Sequence, residues 1–417
     1  MAGDGLSDGG IQARKRWSIL YFLVLAVLIA ASFLLILNDS GSPPAWPMDQ
    51  SFISTVDLRI YRESGHWIFQ YPQLQNSGGI SSSLLVGLYK LIIPTSPASL
   101  NWHIRTLAML GYLLSTDLLL KTFVKPVAVR IAGLLLVATS GFALVQPSSE
   151  ILAGSLFTLF VVAATCRWPL LLSSLLLGGF ALCKVEFLLA APFLALLWWW
   201  REQGTIKNSW RIPCLVGLWI LLFLAPGFAV YGWGVIAGNR SFDAFAVHYS
   251  TLFLAHQYQA YPFDPWMTAS SIMKQVFPGA ASVLDVVSGH PRAYIDFLAL
   301  SAIESIRNIV FSLKLMLIPA GFTLYHFRHL GVLRFPVLLL ALAMVCTLVP
   351  GWLFAFVHIR YLAKFYPVFI GLTLAGVLEL QSMLRPAGRT VILAAGLITL
   401  LWQGLNLPTM VSLSHHL

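Results

Sequence analysis

In a chain of 417 residues with only 10% charged side chains, ionisable groups are scarce enough that each cluster can be weighed on its own. The first runs Asp57-Leu58-Arg59-Ile60-Tyr61-Arg62-Glu63-Ser64-Gly65-His66. Helical spacing would put Asp57, Tyr61 and Ser64 on one face, with Arg59, Arg62 and Glu63 elsewhere around it. A carboxylate held this way can act as a general base, and it can equally cap the helix or pair locally with Arg62. The second cluster is Pro147-Ser148-Ser149-Glu150. There Glu150 is either a functional group at membrane depth or the acid that complements the start of the next helix.

The third cluster is Cys183-Lys184-Val185-Glu186, whose lysine and glutamate either pair with each other or face a charged ligand. The fourth runs from Phe356 to Pro367 and holds His358, Arg360, Tyr361 and Lys364. Arg360 and Lys364 stand four apart, so on a helix they share a face. Two such cations suit a phosphate or pyrophosphate head group, and they also suit snorkelling to lipid phosphate. His358 reads as a polar interfacial residue. Further along, His248, Tyr249, His256, Tyr258, Tyr261, Asp264 and Trp266 form an aromatic and polar patch. Such planes fit a sugar ring or an interfacial belt. The pattern HExxH, a Walker loop and a Gly-rich dinucleotide turn are missing from the sequence, which argues against zinc proteases, ATPases and enzymes with a soluble nucleotide-sugar domain. Cys166, Cys183, Cys214 and Cys346 lie in or beside apolar runs without metal-ligand spacing and read as buried thiols.

The elements that position these residues follow from composition. Hydrophobic residues make up 58% of the chain and mean hydropathy is +0.80. Soluble domains carry about 25% charged residues. Continuous apolar runs of about 20 residues match the thickness of a bilayer, and their backbones must close hydrogen bonds within helices. Eleven spans are expected, at roughly 17–37, 101–123, 127–146, 149–166, 168–183, 186–200, 212–236, 305–327, 335–357, 360–380 and 390–408. Ser81–Ile93, which contains Lys90, is too short to cross and reads as an interfacial or re-entrant helix. The first run follows Arg14-Lys15-Arg16 but is too long for a signal peptide and reads as a retained span.

Charge orients this layout. The proposed inner segments hold fourteen of the 26 basic residues and five of the 16 acids, a net of +9, against +1 outside. The positive-inside rule therefore places the N-terminus in the cytoplasm. No inner loop has the basic and aromatic interleaving that nucleic acid requires. Two long outer loops result, about 38–100 and 237–304, within one transmembrane domain covering 1–417 and no separate soluble domain. Long loops of this kind are usually functional.

The order of these parts resembles the GT-C superfamily of membrane glycosyltransferases, which includes protein O-mannosyltransferases and aminoarabinose transferases. The likeness covers most of the chain. A basic start and one span lead to an outer loop with an early acid, Asp57, followed by the short piece Ser81–Ile93 and a second span carrying Arg105. Gly178-Gly179-Phe180-Ala181-Leu182-Cys183-Lys184 and a late Arg360-Tyr361-Leu362 complete the series. The resemblance implies an inverting transferase of the bacterial inner membrane using a polyprenyl-phosphate-linked sugar donor and a glycan, lipid or protein acceptor. Asp57 would be the base, with Asp49 and Glu63 as alternatives. Arg59, Lys90, Glu150, Lys184, His358, Arg360, Tyr361 and Lys364 would bind substrate. The tandem acidic pair often seen in the family is absent, since Val56 precedes Asp57 and Arg59 follows two residues on. That favours a monophosphate donor handled without a cofactor, with a divalent metal left open. Rival readings are a polysaccharide polymerase or ligase, which would lean on the second long loop, and a lipid or solute transporter.

Overall fold

The computed structural model describes residues 18–31, 59–63, 66–70, 80–81, 84–85, 97–140, 149–206, 208–236, 240–254, 273–355 and 359–414. Helices dominate: α1 (Ser18–Ala31), α2 (Pro97–Phe123), α3 (Val127–Ala138), α4 (Ser149–Thr165), α5 (Leu170–Ala181), α6 (Val185–Glu202) and α7 (Arg211–Tyr231) come first. After them come α8 (Arg240–Tyr249), α9 (Val283–Gly289), α10 (Pro291–Leu313), α11 (Leu317–Tyr325), α12 (Arg334–Trp352), α13 (Tyr366–Glu379) and α14 (Pro386–Ser414). Four stretches are long and apolar enough to cross a bilayer: Arg211–Val235, Pro291–Tyr325, Gly331–Trp352 and Pro386–Leu405. Shorter apolar helices accompany them, so the chain is a helical membrane protein.

Prolines set several boundaries. Pro126 and Pro169 sit immediately before α3 and α5, and Pro291 and Pro367 lie in the first turns of α10 and α13, where a missing N–H costs nothing. Helices α2, α4, α5 and α6 pack in sequence, while α13 lies against α2, α3 and α4. Because α5 returns antiparallel between them, α4 and α6 run parallel, and each end of this pair carries a polar cluster. Their interior is aromatic. Phe180 stacks on Phe187 at 4.8 Å, and Phe157 meets Phe180 at 5.2 Å and Phe365 edge-on at 5.6 Å.

Three expectations need correction. Arg59–Glu63 and His66–Gln70 form an antiparallel hairpin, β1 and β2, pairing Arg59 with Gln70 and Glu63 with His66. This hairpin is a small exception in a helical architecture, and Tyr61 lies on a strand that repeats every two residues and not on a helical face, while Asp57 and Ser64 lie outside the described residues. Next, helix α10 begins at Pro291, inside the expected second loop, and a 3-10 turn at Lys314–Met316 divides it from α11. Finally, Ile359–Leu362 is a 3-10 turn and α13 starts only at Tyr366, so Arg360 and Lys364 do not share an α-helical face. Pro367 lies in the first turn of α13, where its missing N–H costs no helical bond, and so marks the start of that helix.

The described part of the second loop has its own small core. Phe245 packs edge-on against Phe297 at 4.7 Å, Tyr249 stacks on Phe253 at 4.5 Å, and Phe277 lies 5.1 Å from both Tyr249 and His290. Tyr249 and His248 are buried here, so these two belong to packing more than to an open sugar-stacking surface. Ser282 caps α9 by accepting from the Asp285 N–H. The Ala281 N–H and the Ser282 hydroxyl bond back to Asp285 and hold its carboxyl below the ordinary range.

Candidate functional site

The α5–α6 turn builds the first half of the site. Helix α5 ends at Ala181, and Leu182 and Cys183 close the turn through bonds to the carbonyls of Gly178 and Phe180. This leaves Lys184 extended at the N-cap of α6. The turn is braced from outside by the start of the short piece after the hairpin. The Ile80 and Ser81 N–H groups donate to the Leu182 carbonyl at 2.8 and 3.1 Å, and the Ser81 hydroxyl donates to Gly179 at 2.7 Å. Ile80 is fully buried against Leu182, Leu224 and Val235. The start of the expected Ser81–Ile93 element is thus docked on the α5–α6 turn, and Lys90 lies outside the described residues.

Glu150 stands in the first turn of α4 and forms an ion pair with Lys184. The glutamate side chain is 2% exposed and the lysine side chain 10%. The local alternative, a lysine tied to Glu186 on its own helix, is therefore not the pairing adopted. In place of it the pair joins α4 to the α5–α6 turn across 34 residues.

Lys364 supplies the second cation. It is 1% exposed, and its ammonium rests over the rings of Phe187 at 4.1 Å, Phe365 at 5.3 Å and Tyr361 at 5.8 Å. Lys184 lies 5.3 Å from the same Tyr361 ring, so one aromatic plane is shared by two ammonium groups. Among the described residues no carboxylate comes within ion-pair distance of Lys364, and its ammonium makes no hydrogen bond. Glu186 in the first turn of α6 acts on it only from farther away. A buried ammonium is costly to leave without an anion, and ring faces replace only part of its hydration.

Two residues outside the sequence expectations hold Lys364 in position. Tyr112, fully buried in α2, donates from its hydroxyl to the Ala363 carbonyl at 2.6 Å. Gly154, one turn beyond Glu150, lets α4 approach closely. A Cβ at this position would sit 2.8 Å from the Tyr112 ring and 3.1 Å from the Lys364 Cα. Neither carries a local signal, because a tyrosine and a glycine in apolar helices look like ordinary packing residues.

Four of the expected site residues, Glu150, Lys184, Tyr361 and Lys364, are therefore brought together at one end of the bundle. Arg59 lies in β1 and Arg360 in the 3-10 turn beside Tyr361, but their side chains fall outside the described residues, as do Asp57, Lys90 and His358 entirely. All four cysteines are free thiols. Cys183 beside Lys184 is buried, as expected, whereas Cys166 and Cys214 are exposed, their apolar neighbourhoods facing outward from the bundle. No protein-family model matches the chain, and no match to a curated protein was found.

Proposed function

We propose that this chain is a GT-C-like inverting glycosyltransferase that moves a sugar from a polyprenyl-phosphate donor to a glycan, lipid or protein acceptor on the non-cytoplasmic side. The observation that carries this reading is the convergence of Lys184, Lys364, Tyr361 and Glu150, from three distant parts of the chain, into one cluster in which Lys364 has no carboxylate within ion-pair distance among the described residues. Displacement at an anomeric carbon puts negative charge on the departing phosphate, and cations in a desolvated site stabilise that charge strongly. Lys184 and Lys364 take this role, with Arg360 and Lys90 as further cations. Asp57 removes the proton from the acceptor hydroxyl as the new glycosidic bond forms. Arg59 and His358 complete the substrate contacts, while Glu150 holds Lys184.

The topology fits this chemistry. Eleven spans with a cytoplasmic N-terminus, the layout that leaves +9 inside and +1 outside, put the Lys364 end of the bundle on the outer face of a bacterial inner membrane. Lipid-linked donors present their head groups there. The reading is tested with Asp57→Asn in membranes supplied with polyprenyl-phosphate sugar. Transfer should fall by about a hundredfold or more, the scale of a lost general base. Full transfer by a well-inserted variant would overturn the assignment.

A further inference from the structure

We infer that Glu150 is a stand-in anion that holds Lys184 while the site is empty and is displaced when a substrate phosphate arrives. The inference rests on the reading above and adds a competition built into the site. Lys184 and Lys364 share the Tyr361 ring, yet among the described residues only Lys184 has a carboxylate within ion-pair distance. The two ammonium groups are both largely buried and so face the same desolvation problem. Among the described residues one is met by a carboxylate in contact, the other by ring faces with Glu186 acting only from farther away.

A phosphate entering beside Lys364 would meet one free cation and one already occupied. Its oxygens can reach both only if Lys184 turns from the Glu150 carboxylate to the phosphate. Buried charge pairs are strong when complete and costly when broken, so this exchange subtracts from the binding energy of the ligand. Lys184 is well suited to it. Its ammonium is a point charge on a flexible stem at an extended N-cap, free of the fixed fork geometry that would lock an arginine to one carboxylate. Glu150 is less mobile, sitting in the first turn of a helix packed on α2, α5, α12 and α13. The lysine moves and the glutamate stays.

An ordinary substrate-contacting glutamate and a competing glutamate predict opposite results. Removing a contact weakens binding, whereas removing a competitor strengthens it. The experiment uses the full chain in lipid nanodiscs and bare polyprenyl monophosphate as the probe, with affinity read by native mass spectrometry or thermophoresis. Glu150→Gln should tighten binding by about tenfold, a modest share of the coupling measured for close charge pairs. Glu150→Asp, which keeps the charge but withdraws it by one methylene, should tighten it by a few-fold and carries the test if the glutamine variant folds poorly. In Glu150→Gln with Lys184→Met the gain should vanish. Unchanged or weaker binding in both single variants would overturn the inference while leaving the transferase reading intact. If the wild-type chain does not bind the phosphate lipid at all, both fail together.

Discussion

Helices α4 and α6 are tied at both ends, and the two ties differ in kind. At the C-terminal end Glu202 is fully buried, with Arg167 at 3.3 Å and Arg201 at 3.7 Å. Arg201 also donates to the Ala164 and Thr165 carbonyls at 2.9 and 3.3 Å, where the last turn of α4 leaves acceptors without helical partners, and it stacks over Phe335 at 4.0 Å. The Thr205 hydroxyl reaches Glu202 as well. Here the chain supplies the acid, two cations and the carbonyls they need. At the other end the Glu150–Lys184 pair stands beside Lys364, which has rings around it and, among the described residues, no acid within ion-pair distance. Both clusters are buried, both are charged, and both join the same two helices. Among the described residues only the far end gives each of its buried charges an opposite charge within ion-pair distance, which teaches that burial of charge does not by itself mark a ligand site. An unmet charge does.

The comparison can be broken most directly at Lys364. Replacing it with methionine removes an unmet cation and keeps the volume, so thermal stability in detergent should hold or rise. Transfer should meanwhile fall by about a hundredfold, the scale of losing one group that stabilises developing charge. A variant that unfolds would mean that Lys364 is a structural tie like its counterparts at the far end. Glu202→Gln should do the reverse. It takes the only carboxylate from two arginines, one of them half-exposed, and should cost about 2–3 kcal/mol, less than the full penalty for a sealed pair. Chemical denaturation should read this loss, while transfer per folded molecule stays near wild type. A large loss of turnover with no loss of stability would place chemistry at that end too. Tyr112→Phe gives the smallest and sharpest test. Losing one hydrogen bond to Ala363 should cost about 1 kcal/mol, and binding of the phosphate lipid should weaken a few-fold because Lys364 is held less firmly. Equal affinity in the variant would show that the backbone bond does not position the cation.

The helices were legible because hydropathy is a local quantity: a 20-residue apolar run reads the same whatever packs beside it. Their ends were less so. The four-residue spacing of Arg360 and Lys364 matches an α-helix, and no local pattern separates the 3-10 turn at 359–362 from the helix that begins at Tyr366. The hairpin was missed for another reason. Ile60, Tyr61, Trp67, Ile68 and Phe69 are strand-forming residues on either side of Ser64-Gly65, a two-residue turn signal. The interleaved charges drew attention to helical faces instead. Glu150, Lys184, Tyr361 and Lys364 were each legible as candidates, since an ionisable group in an apolar sequence is conspicuous.

Their grouping was not. The sequence by itself determined that this is a helical membrane protein, where its apolar helices run, and which few charged side chains are expensive enough to need a reason. Only the tertiary structure decided that Lys184 pairs with Glu150, 34 residues away, rather than with its neighbour Glu186, and that Lys364 has no acid within ion-pair distance among the described residues. Pairing depends on which helix ends meet. That is set by packing details such as the absent Cβ of Gly154 against Tyr112 and the Lys364 backbone, which no local pattern encodes.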